Sequence, residues 1–118
     1  MVTLESLAGA ALRCDNLSLR SLAQNFLRDH PRLDAVPRPT TTDPQVLTIA
    51  AALVELFALR AGQPAPSWSL EIGAMSTPMY LVEAASRMKN LRKLCELESP
   101  EPLRKRGLYA PPEFLTFA

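Results

Sequence analysis

Residues 43–62 constrain the fold of this chain more than any other part of its sequence. This segment begins with Asp43, an acidic N-cap, followed by Pro44 at the first helical position, and it ends at Gly62, a good helix C-cap. Apolar side chains cover most of the circumference of this predicted helix. The polar residues that form its narrow solvent-exposed edge are Gln45, Thr48 and Glu55. A helix that is apolar nearly all round is normally buried, so we expect the rest of the chain to wrap around it.

Two further helices are predicted before this central helix. Thr3 can cap a first helix that runs to about Leu12, and Asp15 can cap a second helix that Pro31 ends. The second helix carries a complete apolar stripe at helical spacing, formed by Leu19, Leu22, Ala23, Phe26 and Leu27. His30, at the end of the second helix, is predicted to have a structural role, because the helix dipole favours a cationic side chain there.

Connectors and shorter helices are predicted in the rest of the chain. Residues 31–42 and 64–68 are rich in proline and are expected to be stiff connectors without helix, and residues 73–78 are expected to form a loop. A short helix is expected over residues 78–85, and a clearer one over residues 87–97. The inner face of the clearer helix is predicted to contain Met88, Leu91, Leu94 and Cys95.

The end of the chain is predicted to contain one more short helix and an apolar tail. Ser99 and Pro100 resemble the start of the central helix, so we expect Ser99 to cap a helix whose C-terminal signal is Gly107. Residues 108–115 then form a rigid, apolar tail because they combine large apolar side chains with two prolines.

These elements predict an all-α fold. Leu and Ala dominate the chain, whereas the β-forming residues include only five Val and two Ile. We expect one compact domain over residues 1–118, with about five to six helices around the central apolar helix. Within it, residues 1–30 form a helical pair, residues 31–43 a proline-rich connector, and residues 44–118 the central helix and a C-terminal helical region.

Composition argues against a disordered chain and against several kinds of chemical site. Apolar residues make up 47% of the chain and the net charge is +1, so the chain can form a core and has no global attraction to nucleic acid. The Cys and His side chains are too few and too far apart for a structural zinc site, which needs about four ligands; they are Cys14, His30 and Cys95. No glycine-rich phosphate loop or activated nucleophile is visible. We therefore expect no metal, no cofactor and no enzymatic activity.

The same residues predict a cytoplasmic protein. Cys14 and Cys95 are expected to be unpaired thiols, as in a reducing compartment. Residues 1–5 lack the features of a secretory signal. The longest apolar stretch, residues 46–59, is interrupted by polar residues and is shorter than the ~20 residues of a membrane span, so no membrane partner is expected.

The basic segment, residues 87–106, is the one part of the chain with a marked charge. It contains seven Lys or Arg residues and three acidic residues, which gives a net charge of +4. Such a segment can bind an acidic protein or the phosphates of a nucleic acid, or it can be an ordinary solvated helix face with an Arg92–Glu96 pair. No recognition-helix motif accompanies the charge, which favours a protein partner over nucleic acid.

The aromatic residues of the C-terminal half are candidates for contacts. Trp68 is either an interface anchor or a cover for the core from a loop. Tyr109 is expected to pack on its own domain, whereas Phe114 and Phe117 fit either the domain or a partner.

Five segments of the C-terminal half carry a resemblance to a known group of proteins. They are 64–68 (PAPSW), 91–96 (LRKLCE), 98–100 (ESP), 102–106 (PLRKR) and 110–115 (APPEFL). With these motifs, residues 64–115, roughly half the chain, resemble a broad group of small, mostly uncharacterised bacterial proteins. Related segments follow helix-turn-helix domains in antitoxin partners of nucleotidyltransferase toxins of the AbiE or Men kind. Residues 1–62 depart from that pattern because prolines interrupt the helical array, so DNA binding is not implied.

The resemblance implies a non-enzymatic, antitoxin-like or accessory subunit that neutralises or scaffolds a nucleotidyltransferase-type partner. The alternative is a nucleic-acid-binding accessory protein that uses the basic segment. The oligomeric state stays open. The residues expected to contact the partner are Trp68, Arg104, Lys105, Arg106, Tyr109 and Phe114.

Overall fold

The structure is a computed structural model that describes residues 2–116, and it confirms the all-α class and the compact, globular form. Short 3₁₀ turns lie at Leu33–Ala35 and Glu83–Ser86. The helices are α1 (Leu4–Leu12), α2 (Asn16–Asp29), α3 (Pro44–Ala61), α4 (Ser67–Leu70), α5 (Lys89–Glu98) and α6 (Glu101–Arg104). Two strands of two residues each, β1 (Met79–Tyr80) and β2 (Leu108–Tyr109), form a parallel pair.

The first two helices begin where their caps predict. The Thr3 hydroxyl accepts a hydrogen bond from the Ser6 backbone N–H at 3.2 Å, and an Asp15 carboxylate oxygen accepts one from Ser18 N–H at 3.2 Å. Between the helices, Cys14 adopts a left-handed conformation, with φ 54°. Its N–H donates to the Ala11 carbonyl and that of Asp15 to the Ala10 carbonyl, which is the Schellman arrangement of a helix C-terminus.

Helix α3 is the centre of the domain, as its sequence predicts. It packs against α1, α4 and α6, and the buried part of the helix extends from Thr48 to Ala58 with Glu55 half-buried. The prediction of a solvent-exposed edge on α3 is wrong at two of its three positions. Thr48 is buried and donates its hydroxyl to the Pro44 carbonyl at 2.8 Å, and Glu55 accepts from two basic side chains described below. The exposed residues of α3 lie at its two ends, at residues 44–45, which include Gln45, and at residues 59–61.

Helix α3 has the length and the apolar character of a membrane span, with a mean hydropathy of 1.5 over its 18 residues. Nevertheless, 56% of these 18 residues are buried inside the domain. This is the environment of the core helix in a soluble protein.

The connector before α3 is ordered by contacts with the rest of the domain. It contains one 3₁₀ turn, Leu33–Ala35, so the prediction of no helix at all is wrong by a single turn. The side chains of Leu33 and Val36 are buried. Gln63, just after α3, accepts from the Leu33 N–H at 3.0 Å and donates to the Pro31 carbonyl at 3.1 Å. These contacts hold the connector against the end of α3.

The region after α3 departs most from the predicted elements. The prediction of a connector without helix over residues 64–68 is wrong in part, because α4 begins at Ser67. No α-helix forms over residues 78–85, which contain β1 and part of the 3₁₀ turn Glu83–Ser86. Instead, Met79 N–H donates to the Gly107 carbonyl and Leu81 N–H to the Tyr109 carbonyl, both at 2.9 Å. Those hydrogen bonds join β1 to a strand 29 residues later in the chain, a partner that local periodicity does not identify.

The boundaries and caps of α5 and α6 also differ from the prediction. Met88 lies at the N-cap of α5 and is 56% exposed, so it does not belong to the inner face. Ser99 is buried and makes no side-chain cap on α6. Its hydroxyl instead donates to the Ala110 carbonyl at 3.0 Å and accepts from the Ala110 N–H at 2.9 Å. Ser99 therefore holds the C-terminal tail rather than starting a helix.

Candidate functional site

Arg106, which the sequence predicts as a partner contact, lies in the core of the domain. Its side chain is 1% exposed. The guanidinium donates to the carbonyls of Ile72, Ser69 and Pro102 at 3.2, 2.8 and 2.8 Å, and it also pairs with the carboxylate of Glu55. A buried guanidinium needs such partners because an unpaired charge in the interior is costly. Arg106 thus connects α3, the segment after α4, and α6.

Glu55 is the acidic partner of two of the predicted contact residues. One oxygen pairs with Arg106, and the other accepts from Lys105 Nζ at 2.7 Å. Burial by itself would raise the pKa of Glu55, but the hydrogen bonds from Lys105 and Arg106 outweigh it and lower that pKa below its ordinary value. When Glu55 is counted with the basic segment, whose own net charge is +4, the net charge is 4 − 1 = +3.

The C-terminal tail packs on the domain itself. Phe114, for which the sequence left both the domain and a partner open, is 7% exposed because the domain covers its ring. The Arg60 guanidinium donates to the carbonyls of Phe114 and Pro112, and Arg20 donates to the Thr116 carbonyl at 3.2 Å. Phe117, the other aromatic residue of the tail, lies outside the described residues.

Trp68 and Tyr109 are half-buried residues with partners inside the domain. The Trp68 indole N–H donates to the Val36 carbonyl at 2.8 Å, and the ring packs against the core. This arrangement matches the interpretation of Trp68 as a cover for the core. The Tyr109 ring lies 5.5 Å from that of Tyr80, centroid to centroid, across the two paired strands.

Tyr80 connects the strand pair to α5. Its hydroxyl donates to the carboxylate of Glu96, and this hydrogen bond, above all, raises the pKa of Tyr80 to about 12. Glu96 is therefore held by a tyrosine from outside α5. The Arg92 Nε donates to the Ala85 carbonyl at 3.1 Å. Both contacts fix the position of α5 against the preceding turn.

The exposed remainder of the basic segment is concentrated on α5 and just after it. Lys89, Lys93 and Leu97 follow at i, i+4 and i+8, so they lie on one face of the helix. Leu97 is 74% exposed, and its carbonyl accepts a hydrogen bond from Arg104 at 3.1 Å. We call these four residues the α5 surface. Of the residues of α5, Cys95 alone is fully buried, so this helix lies at the edge of the domain.

The α5 surface retains one of the six residues predicted to contact a partner. Arg104 is exposed and belongs to it, whereas Arg106 and Phe114 are buried, and Trp68, Lys105 and Tyr109 are engaged within the domain. Leu97 was not predicted. Its i+4 spacing from Lys93 is the signal in the sequence that places an apolar side chain on the charged face.

Residues 2–116 provide neither a metal site nor a disulfide. No group of three or more His, Cys, Asp or Glu side chains in this part of the chain is placed to hold a metal ion, and no disulfide joins Cys14 to Cys95. Burial raises the pKa of the Cys95 thiol, which keeps it protonated. No family model, curated protein or solved structure matches the chain.

Proposed function

We propose that this protein is a non-enzymatic, cytoplasmic protein-binding module that engages an acidic surface of a protein partner through the α5 surface. The resemblance of its C-terminal motifs suggests an antitoxin-like or accessory role with a nucleotidyltransferase-type partner. The observation that carries the proposal is Leu97, whose apolar side chain is 74% exposed on the helix face that carries Lys89 and Lys93, and whose carbonyl accepts from Arg104. An apolar centre with a charged rim is the usual composition of a protein interface.

The charge and the apolar contact have separate roles in this proposal. The lysines and Arg104 attract an acidic partner over a distance and speed up association. Leu97 then buries apolar surface against the partner, which contributes ~25 cal/mol per Å² of area removed from water. Added salt weakens the first effect and leaves the second.

The position of α5 also favours this use. The helix is anchored on one side by Tyr80 and by the Ala85 carbonyl, so its outer face is presented in a fixed orientation. A surface that is already ordered loses little conformational freedom when it binds, which favours affinity.

The test is a matched set of four exposed-site variants, assayed with the nucleotidyltransferase-type partner purified separately. We expect Leu97→Ser and Lys93→Glu each to weaken binding by about tenfold or more, which corresponds to ~1.4 kcal/mol. Leu17→Ser and Arg32→Glu are the controls, because Leu17 is 84% exposed on α2 and Arg32 is exposed on the connector, both outside the α5 surface. The controls should bind like the wild type.

Equal binding by all four variants would remove the α5 surface from the proposal. Binding of RNA or duplex DNA that disappears with salt, with Lys93→Glu defective and Leu97→Ser unaffected, would replace it with the nucleic-acid alternative. Circular dichroism and urea unfolding of each variant establish that the fold is intact.

A further inference from the structure

A cavity of about 310 Å³ lies between the start of α1, the end of α2 and the connector, on a different part of the domain from the residues of the α5 surface. Its apolar wall includes the core side chains Leu4, Phe26 and Val36. The volume is at the lower end of the range for small-molecule sites, about 300–1,000 Å³. The cavity therefore fits a small ligand with an apolar part.

The wall formed by the connector is held in place by the domain. The Val36 carbonyl accepts the hydrogen bond from the Trp68 indole, and Pro37 and Pro39, on the same wall, have restricted backbone angles. On the opposite side, His30 stacks on Phe26 with ring centroids 4.3 Å apart, and its Nδ1 lies 3.0 Å from the Phe26 carbonyl oxygen. A cavity with walls fixed in this way does not have to be ordered by its ligand.

The rim of the cavity also carries one acidic and one basic side chain, both of them exposed to solvent. Glu5 and Arg38 both line it, and neither makes a side-chain hydrogen bond or ion pair with any residue in the described range 2–116. They are not paired with each other. Opposite charges at the rim of an apolar cavity are complementary to a ligand that has an apolar part and carries both charges itself.

We infer that this cavity binds an apolar α-amino acid as the zwitterion. The carboxylate of the ligand pairs with Arg38, the ammonium pairs with Glu5, and the side chain contacts Phe26 and Val36. This site is independent of the α5 surface, so either proposal can fail without the other.

The probe for the test is L-phenylalanine, compared with two analogues that each lack one charge. N-acetyl-L-phenylalanine keeps the carboxylate and lacks the ammonium, whereas L-phenylalaninamide keeps the ammonium and lacks the carboxylate. In ¹H–¹⁵N spectra of the full chain, L-phenylalanine should give saturable shifts at the amides of Leu4, Phe26 and Val36. Each analogue should bind about tenfold more weakly, since it loses one charge-assisted hydrogen bond.

Two variants test which residue pairs with each charge of the ligand. Arg38→Gln should remove the preference for L-phenylalanine over the amide, and Glu5→Gln should remove the preference over the N-acetyl compound. Arg32→Gln and Glu71→Gln are matched controls, since both residues are exposed and neither lines the cavity. Both preferences should persist in the controls.

The inference is overturned if L-phenylalanine gives no saturable shift at these amides. It is also overturned if the N-acetyl compound binds as tightly as L-phenylalanine, because the cavity would then select a plain carboxylate. Retention of both preferences in Arg38→Gln and Glu5→Gln, with urea midpoints like the wild type, would equally contradict it.

Discussion

The guanidinium of Arg106 and the carboxylate of Glu55 form an ion pair between the segment after α6 and the central helix α3. Lys105, next to Arg106 in the chain, occupies the second oxygen of the same carboxylate. One acidic side chain thereby takes up two of the three consecutive basic residues at 104–106. Their adjacency in sequence suggests a single basic contact surface, but two of them hold the domain together.

Replacing Arg106 is expected to destabilise the fold strongly. Arg106→Ala leaves Glu55 with one partner fewer and removes the hydrogen bonds that the guanidinium donates to three backbone carbonyls. Removing one partner of a buried ion pair typically costs about 3–5 kcal/mol, and we expect a loss in that range in urea unfolding. Arg104→Ala, at the exposed neighbour, should change the free energy of unfolding by no more than ~0.5 kcal/mol. Equal effects of the two variants would contradict this assignment.

The Glu55 interaction predicts a stability that depends on acid pH. The folded-state pKa of Glu55 is lower than its ordinary value of 4.5, so its contribution is fully present above about that pH. As the pH falls through the folded-state pKa, the carboxylate is protonated and the contribution is lost. Urea midpoints measured from pH 6 down to about pH 3 should fall less steeply for Glu55→Gln than for the wild type. Parallel curves would show that Glu55 does not carry this dependence.

Because of the Tyr80–Glu96 hydrogen bond, we expect the stability of the fold to fall at alkaline pH. The folded-state pKa of Tyr80, about 12, exceeds the ordinary value of 10.0, so the stabilisation is complete below pH 10 and is lost as the pH rises toward 12. In a Tyr109→Phe background, Tyr80 is the one remaining tyrosine, and ultraviolet absorbance then follows its ionisation directly. Glu96→Gln should lower the measured pKa toward 10. No change on this substitution would show that another group raises it.

At Cys14 we expect glycine to give a more stable protein than alanine, although alanine is normally the more stabilising of the two residues in a helix. The left-handed backbone at this position, with φ 54°, is strained for any residue with a Cβ atom and is readily adopted by glycine. Both Cys14→Gly and Cys14→Ala lose the thiol contact with the Tyr80 carbonyl, so their difference isolates the backbone effect. We expect the glycine variant to be more stable than the alanine variant by about 1 kcal/mol in urea unfolding. The opposite order would show that the turn relaxes to another conformation.

The first half of the fold was predictable because its signals are local. Thr3, Asp15 and Asp43 each accept the N-terminal hydrogen bond expected of a cap, and Gly62 adopts the left-handed conformation expected at the end of α3. Each of these interactions joins residues within one helical turn, so the sequence pattern contains all of its participants. The apolar circumference of α3 likewise predicted its place at the centre.

The second half and the candidate surface were less predictable because their partners are distant in the chain. Residues 78–85 form a strand and a 3₁₀ turn because Leu108 and Tyr109 supply a pairing edge, and Ser99 binds Ala110 instead of capping α6. Local propensity contains no information about such partners. The same limit explains why the sequence did not reveal the burial of Arg106 and Phe114.

The sequence by itself determined the helical class, the first three helices and their caps, and the central position of α3, since all of these follow from interactions between near neighbours. Only the tertiary structure decided which basic residues face solvent and which form ion pairs within the domain. Glu55 lies about 50 residues before its partners, and the cost of leaving a charge unpaired in the interior is what brings Arg106 to it. Lys89, Lys93 and Arg104 remain exposed, and none of them takes part in an ion pair among residues 2–116.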